Sequence, residues 1–244
     1  MPKKEWFAEW FDSPYYHLLY NNRDANEARA FIQKLVEKLA LAPGAPVLDL
    51  ACGKGRHSKI LNSFSYDVLG VDLSENSILE AKKETTATLR FDTHDMRKVI
   101  PNLKFAAVFN LFTSFGYFDS PEENQKVCSS VSDMLNSNGK FIIDFMNAEK
   151  VIRNLVLSEE KTIDGITFKL ERRFDGKHIF KEIYFSDKGQ DFHFTERVQA
   201  LNLQDFQALL SANFKILETF GSFDLAPFSA VNSDRLIIIA ELKS

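Results

Sequence analysis

The chain has 244 residues, of which 45% are hydrophobic and 26% are charged, and its formal net charge is −4. This composition is typical of a globular protein and excludes a disordered or fibrous chain. Positive charge is not clustered, so nucleic acid is not an expected partner. The longest aliphatic run, residues 236–240, is far shorter than the ~20 residues of a membrane span, so no membrane association is expected. With only two cysteines, the chain lacks a disulfide framework, which favours a reducing, cytoplasmic setting.

Helix and strand patterns alternate along the first 150 residues. Asp24 is placed to cap a helix that ends at Pro43-Gly44, and a short buried strand follows at 46–52. Further strands are predicted at 66–72, 89–93, 105–111 and 141–145, separated by helices that include 56–62, 74–83 and one from Ser120 to Asn138-Gly139. Such alternation predicts βαβ units and a parallel sheet covered on both faces.

The pattern changes after about residue 160. Three strand-like stretches at 162–173, 178–185 and 192–198 are separated by Asp-Gly and Lys-Gly turns, which predict hairpins. A short helix at 203–212 precedes two strands at 215–223 and 235–242, which have no helix-length segment between them and are therefore expected to be antiparallel. The predicted fold is α/β: a Rossmann-like, doubly wound, seven-stranded, mostly parallel sheet with a final antiparallel strand, plus an antiparallel β insertion. The 23 phenylalanines are expected mainly to fill the core.

Glycine and acidic residues follow several of the predicted strands. Open parallel sheets bind ligands beyond the carboxyl ends of their strands, and the residues expected at that edge are Gly53, Gly55, Asp72, Asp95, Met96, Asn110 and Leu111. The glycines let the backbone approach a ligand. The Asp72 carboxylate can accept hydrogen bonds from both hydroxyls of a ribose, and the Asp95 carboxylate can accept one from the amino group of an adenine. The dinucleotide signature GxGxxG is incomplete, because Ser58 stands at its third glycine.

These motifs resemble those of a known family. The segment 47–57 (VLDLACGKGRH) looks like the first motif, and 69–74 (LGVDLS) like the second motif, of the class I S-adenosylmethionine-dependent methyltransferases. The segments 93–97 and 110–117 are similar to that family's adenine-contacting and active-site-edge motifs. The resemblance covers nearly the whole chain, and its layout is most similar to small-molecule N-methyltransferases of the amino-sugar or glycine/sarcosine type. Cys52 departs from the glycine that the family often has there, although small residues are tolerated.

The resemblance implies S-adenosyl-L-methionine as the cofactor. It implies that Gly53 and Gly55 lie against its methionine part, and that Asp72 holds the ribose. The other cofactor-binding residues that it implies are Asp49, Leu73, Asp95, Met96, Asn110, Leu111, Tyr16, Tyr20 and Arg23. The organisation expected for the chain is a single domain over 1–244, with a helical cap at 1–40, a cofactor-binding core at 45–146, the β insertion at 150–200, and a return to the core sheet at 201–244.

Methyl transfer from a sulfonium is an in-line displacement, in which the protein mainly aligns the nucleophile with the methyl group. No single indispensable catalytic residue is therefore expected, and no metal. The candidates for a catalytic role are Tyr16, His17, Tyr117 and Asp144. Tyr16 and Tyr20 are equally compatible with a helix that packs its aromatic side chains on the sheet, and His17 is also compatible with an exposed or helix-capping histidine.

The sequence predicts a methyltransferase that acts on a small-molecule acceptor, with nitrogen favoured over oxygen. The Asn-Pro-Pro-Tyr pattern of nucleic-acid amino methyltransferases is absent, since Leu-Phe-Thr follows Asn110. Two alternatives remain open: a nicotinamide-dependent oxidoreductase, and a non-catalytic regulator that binds S-adenosylmethionine. The chain is expected to be a monomer or a homodimer, and the 150–200 insertion either a lid or a dimer contact.

Overall fold

The computed structural model describes residues 6–20 and 25–243. In that part of the chain the strands, in order, are β1 (Pro46–Leu50), β2 (Asp67–Asp72), β3 (Leu89–Thr93), β4 (Phe105–Asn110), β5 (Leu135–Met146), β6 (Ser158–Ile163), β7 (Ile166–Phe174), β8 (His178–Asp187), β9 (Gln190–Gln199), β10 (Phe214–Phe220) and β11 (Arg235–Leu242). The helices are α1 (Trp6–Phe11), α2 (Pro14–Leu19), α3 (Ala25–Leu39), α4 (Arg56–Ser63), α5 (Glu75–Ala81), α6 (Pro121–Met134), α7 (Ala148–Arg153) and α8 (Leu203–Leu210). None of these helices is long and apolar enough to cross a membrane.

Seven of the strands form one sheet, in the order β10-β11-β5-β4-β1-β2-β3. Neighbouring strands from β3 to β5 are parallel, whereas β11 is antiparallel to both β5 and β10. The predicted Rossmann-like sheet with a final antiparallel strand is confirmed. Strand order reverses between β1 and β4, and ligands bind at such a switch point in open α/β sheets.

The central strands are mostly apolar, and residues from both of their sides are buried, because both faces of the sheet are covered. In β11, Leu236 and Ile238 belong to one hydrophobic cluster, whereas Ile237 and Ile239 belong to the cluster on the other face. The phenylalanines fill both clusters, as expected from their number. Near-continuous hydrophobic runs are characteristic of strands that are buried on two sides.

The junction between α6 and β5 differs from the prediction. The helix expected to continue to Asn138-Gly139 ends at Met134, and β5 begins at Leu135 rather than at residue 141. Leu135 pairs with Phe105 of β4, and the next pair joins Ala107 to Lys140, so the residues between them form a bulge in β5. The Asn-Gly pair therefore belongs to an irregular strand, because pairing with β4 and burial of Leu135 outweigh the local helix signal.

The remaining four strands form an antiparallel sheet in the order β6-β7-β8-β9, which supplies the predicted antiparallel β segment. Helices α1 and α2 pack on it through a cluster that includes Trp10, Leu19 and Phe168. The same helices also reach the first sheet, because Asp12 accepts a hydrogen bond of 2.7 Å from the hydroxyl of Ser74. The two helices therefore bridge the second sheet and the carboxyl edge of the first.

Candidate active site

A cavity of about 430 Å³ lies at the carboxyl edge of the seven-stranded sheet, beneath α1 and α2. Most of the predicted site residues line it: Tyr16, His17, Tyr20, Gly53, Asp72, Leu73, Asp95, Met96, Leu111 and Tyr117. Four predicted residues are outside its lining, namely Asp49, Gly55, Asn110 and Asp144. Arg23, expected near the cofactor carboxylate, lies outside the described residues.

The two glycines of the loop after β1 have different surroundings. Both have positive φ, +55° at Gly53 and +76° at Gly55, a conformation that favours glycine. A Cβ at Gly53 would meet no protein atom within 4 Å, so the loop leaves open space there, whereas a Cβ at Gly55 would lie 2.5 Å from the ring of Phe91. Gly53 therefore borders the cavity, and Gly55 lets the loop pack against β3.

Asp49 is buried beneath this loop. Its carboxylate is 1% exposed and accepts a hydrogen bond of 2.5 Å from the hydroxyl of Ser58. Burial raises the pKa of Asp49 to about 6, against the lowering effect of the Ser58 hydrogen bond and with a further increase from the charge of Asp72. Ser58 occupies the position where the dinucleotide signature has glycine, and in this chain it supplies a donor to a buried acid.

Asp72 ends β2 at the cavity wall. One carboxylate oxygen accepts the N–H of Gly53 at 2.8 Å, and the other accepts the N–H of Ser74 at 2.8 Å. Burial raises the pKa of Asp72, and these amide hydrogen bonds oppose the increase. An ionised carboxylate has about four acceptor positions, so both oxygens retain capacity to accept ligand hydroxyls.

Asp95 and Met96 follow β3, and Asp95 is paired with Arg97. The Arg97 side chain donates to both Asp95 oxygens, at 3.0 and 2.8 Å, and also to Glu123 at 2.6 Å. Burial alone would raise the pKa of Asp95, but the hydrogen bonds and charge of Arg97 outweigh burial and lower it. Asp95 is therefore held as an oriented carboxylate at the cavity edge.

Aromatic side chains from α1, α2 and the segment after β4 form a cover over the cavity. Phe11 meets Tyr16 edge-to-face at a centroid distance of 4.9 Å and Tyr117 at 5.1 Å. The hydroxyl of Tyr20 donates to Glu196 of β9 at 2.7 Å and accepts from Lys181 of β8 at 2.5 Å. Burial and the charge of Glu196 raise the pKa of Tyr20 well above its ordinary value, so it remains a neutral phenol. Tyr20 therefore both lines the cavity and attaches α2 to the second sheet.

Asn110 and Asp144 lie behind the cavity wall. Asn110 is buried, and its amide donates to the carbonyl of Leu50 at 3.1 Å. Asp144 is also buried; it accepts the N–H of Phe112 at 2.8 Å and pairs with Arg235 at 2.7 Å. The expectation that Asp144 points toward an acceptor is not matched by this position, because its carboxylate binds groups of the wall itself.

Comparison with known proteins identifies the family. The sequence profile of a family described as "Methyltransferase domain" matches residues 41–193, which is more than half of the chain. The chain belongs to the methyltransferase family. The methyltransferase is 30% identical to a glycine/sarcosine N-methyltransferase of Aphanothece halophytica over 84% of this chain and 77% of that protein.

Solved structures share the fold of the methyltransferase. An S-adenosylmethionine-dependent methyltransferase from Clostridium acetobutylicum ATCC 824 has a TM-score of 0.80 at 21% identity, with 98% of each chain covered. An amino pentose methyltransferase from Micromonospora echinaspora, solved with S-adenosylmethionine bound, has a TM-score of 0.71 at 15% identity and covers 95% of this chain and 98% of its own. The methyltransferase is S-adenosylmethionine-dependent, which decides against the nicotinamide-dependent alternative.

The cavity suits this cofactor. Open space at Gly53 admits a ligand close to the backbone, the Asp72 carboxylate supplies an acceptor pair for hydroxyls, and Leu73 and Met96 give apolar surface for a flat ring. Among residues 6–20 and 25–243 no group of three or more His, Cys, Asp or Glu is arranged to hold a metal ion. Independence from metals remains a prediction.

Sequence reasoning missed several residues of the methyltransferase cavity. Four phenylalanines line it, namely Phe7, Phe11, Phe112 and Phe118. The abundance of phenylalanine was a signal, but nothing in the sequence distinguishes those few at the cavity from the many in the core. Two basic residues also line the cavity: Lys54, which lies between the two glycines, and Arg56, which is the first residue of α4.

Proposed function

We propose that the enzyme transfers a methyl group from S-adenosylmethionine to the nitrogen of a small-molecule acceptor. The observation that carries this proposal is the cavity of about 430 Å³, which aromatic side chains partly cover. Ligand pockets commonly measure roughly 300–1,000 Å³, so this volume suits the cofactor together with the reacting part of a small-molecule acceptor. Similarity to a glycine/sarcosine N-methyltransferase supports nitrogen as the acceptor atom.

The roles proposed for the cofactor-binding residues follow the positions described above. Asp72 would accept the ribose hydroxyls, with Leu73 beside them, and Gly53 would lie against the methionine part. Asp95 and Met96 would contact the adenine. The remaining proposed contributors act at the methionine end or by ordering the loop: Asp49, Gly55, Asn110, Leu111, Tyr16, Tyr20 and Arg23.

When bound, S-adenosylmethionine supplies an activated methyl group on a positively charged sulfur. The residues of this chain then have to orient the acceptor, exclude water and tolerate the positive charge that passes to the acceptor nitrogen. The aromatic side chains of Tyr16, Phe11 and Tyr117 line the cavity and suit an ammonium group, because aromatic rings attract cations. His17 lines the same cavity and is proposed to accept a proton from an ammonium acceptor before transfer.

The proposal is tested by a methylation screen with radiolabelled S-adenosylmethionine. Acceptors are offered in pairs that differ only in the acceptor atom: glycine with glycolate, and an amino-sugar nucleotide with its hydroxy-sugar counterpart. We expect transfer to the amine of a pair and at least tenfold less to the alcohol. Transfer mainly to alcohols would refute nitrogen specificity.

The same screen tests the non-catalytic alternative. S-adenosylhomocysteine is titrated calorimetrically into the same preparation, with NAD as the control ligand. Binding of S-adenosylhomocysteine together with transfer to an acceptor supports the enzyme, whereas binding without transfer to any amine or alcohol supports a regulator. The monomer or homodimer and the cytoplasmic location remain predictions.

A further inference from the structure

The turn after β4 contains two consecutive non-glycine residues in the left-handed conformation. Phe112 has φ of 63° and Thr113 has φ of 60°. Bulky and β-branched residues rarely adopt this region, and such conformations persist only where the surrounding structure enforces them. The turn is therefore held by other parts of the protein.

Asp144 accepts hydrogen bonds from both backbone amides of this turn. The Asp144 carboxylate accepts the N–H of Phe112 at 2.8 Å, and the Asp144 carbonyl accepts the N–H of Thr113 at 2.8 Å. Arg235 at the start of β11 donates from Nε to the other Asp144 carboxylate oxygen at 2.8 Å, and from its guanidinium to the Thr113 hydroxyl at 3.1 Å. Asp144 is 1% exposed, so its charge is balanced mainly by this arginine. We call the pair Asp144–Arg235 the clamp.

The clamp lies directly behind the reaction cavity. Phe112 lines that cavity, as do its neighbours Leu111 and Ser114. The guanidiniums of Arg56 and Arg235 lie 5.5 and 5.8 Å from the centre of the Phe112 ring. A displacement of the turn would therefore move the Phe112 ring, which forms part of the cavity wall, and would disturb its contact with the Arg56 side chain.

We propose that Asp144 and Arg235 are positioning residues for methyl transfer, which hold Phe112 and Thr113 in the left-handed conformation and so fix the Phe112 wall of the cavity. Small displacements of an acceptor have large effects on rate, because transfer requires close alignment of the reacting atoms. The Asp72 carboxylate, proposed to hold the cofactor, binds the amides of Gly53 and Ser74, whereas the Asp144 carboxylate binds Phe112 and Arg235. The clamp is therefore expected to act on kcat more than on cofactor affinity.

The test is a set of variants that separates conformational freedom from hydrogen bonding. In D144N one oxygen becomes an NH2 group, which faces either the Phe112 amide or Arg235. T113G permits positive φ without strain, and T113A removes the same hydroxyl while keeping a Cβ. D144N is made in the wild-type, T113G and T113A backgrounds.

Three measurements are made on each variant: hydrogen exchange of a peptide spanning 110–117, calorimetric affinity for S-adenosylhomocysteine, and kcat with the best amine from the screen above. D144N is expected to speed exchange of this peptide, lower kcat on the order of tenfold, and change the affinity less than threefold. In the T113G background the loss of kcat should shrink to about threefold, and in the T113A background it should remain about tenfold.

Unchanged exchange and kcat in D144N would overturn the proposal, as would equal rescue by T113A and T113G. The kinetic measurement rests on the proposed function, whereas exchange does not, so failure to find an acceptor leaves the clamp testable. If D144N does not fold, R235K serves instead, because lysine keeps the charge but cannot bond Asp144 and Thr113 in the fork geometry of arginine. R235K is expected to speed the same exchange, and exchange at the wild-type rate would refute the clamp.

Discussion

The two glycines after β1 can be separated by replacing each with alanine. Gly55→Ala places a methyl group 2.5 Å from the buried Phe91 ring, at a residue with φ of +76°. Gly53→Ala places its methyl in open space at the cavity edge, with φ of +55°. The two variants share the conformational penalty and differ in what the methyl group meets.

The free energy of unfolding should respond accordingly. Left-handed backbone costs a non-glycine residue about 1–2 kcal/mol, and this is the whole effect expected for Gly53→Ala. Gly55→Ala adds overpacking against Phe91, about 1–3 kcal/mol, which gives a total loss of roughly 2–5 kcal/mol. Binding of S-adenosylhomocysteine should show the reverse order, because only the Gly53 methyl lies beside the cavity.

Urea unfolding and calorimetric titration of S-adenosylhomocysteine, both on purified protein, measure the two effects. We expect the larger loss of stability in Gly55→Ala, and the larger loss of affinity, about tenfold, in Gly53→Ala. Equal destabilisation would show that Phe91 moves aside without penalty. A greater loss of affinity in Gly55→Ala would refute the assignment of that glycine to packing.

Three further predictions concern acidic residues and metals. The folded-state pKa of Asp49, about 6, lies above its unfolded value of 3.8, so the stability that this acid contributes is lost as the pH rises between these values. Raising the pH from 4 to 6 should therefore lower the free energy of unfolding by roughly 2 kcal/mol relative to Asp49→Asn, measured by urea unfolding. A constant difference would show that this acid titrates normally. Asp72→Ala should weaken S-adenosylhomocysteine binding by about 1.5–3 kcal/mol, measured by calorimetry. The control is Asp67→Ala, at the other end of the same strand, which should leave this affinity unchanged. Equal effects of the two variants would contradict the proposal that Asp72 binds the ribose. Turnover should persist in excess chelator, and its loss on chelation with recovery on adding a divalent cation would show a metal requirement.

The fold was predictable where local pattern and tertiary structure agree. The alternation of strands and helices predicted the mostly parallel sheet, and the final connection without a helix predicted the antiparallel pair that includes β11. The pair Asn138-Gly139 was misleading, because the same two residues are compatible with the end of a helix and with a bulge in a strand. Only pairing of Leu135 with Phe105, thirty residues earlier in the chain, distinguishes the two outcomes.

The functional site was likewise predictable only where the position of a residue in a strand determines its surroundings. Gly53, Asp72, Asp95 and Met96 were predicted to lie at one sheet edge, since each lies at or shortly after the end of a strand, and all four line the cavity. The place of Asp144 on β5 was also predictable from the sequence, but the residues that surround its carboxylate were not. Its partner Arg235 is 91 residues away in sequence, and no local pattern indicates that the two meet behind Phe112.

The position of β11 has a consequence for the route by which the chain folds. This strand lies between β5 and β10, and Ile237 and Ile238 at its centre are fully buried. Its contacts with β5 close a loop of about ninety residues, and such nonlocal pairing slows folding because the chain entropy is lost before the contacts form. Until β11 docks, β5 exposes an unpaired edge and Asp144 lacks its guanidinium partner. A partly folded chain that lacks β11 would therefore contain most of the parallel sheet without a formed reaction cavity, and the unpaired edge of β5 would expose it to aggregation.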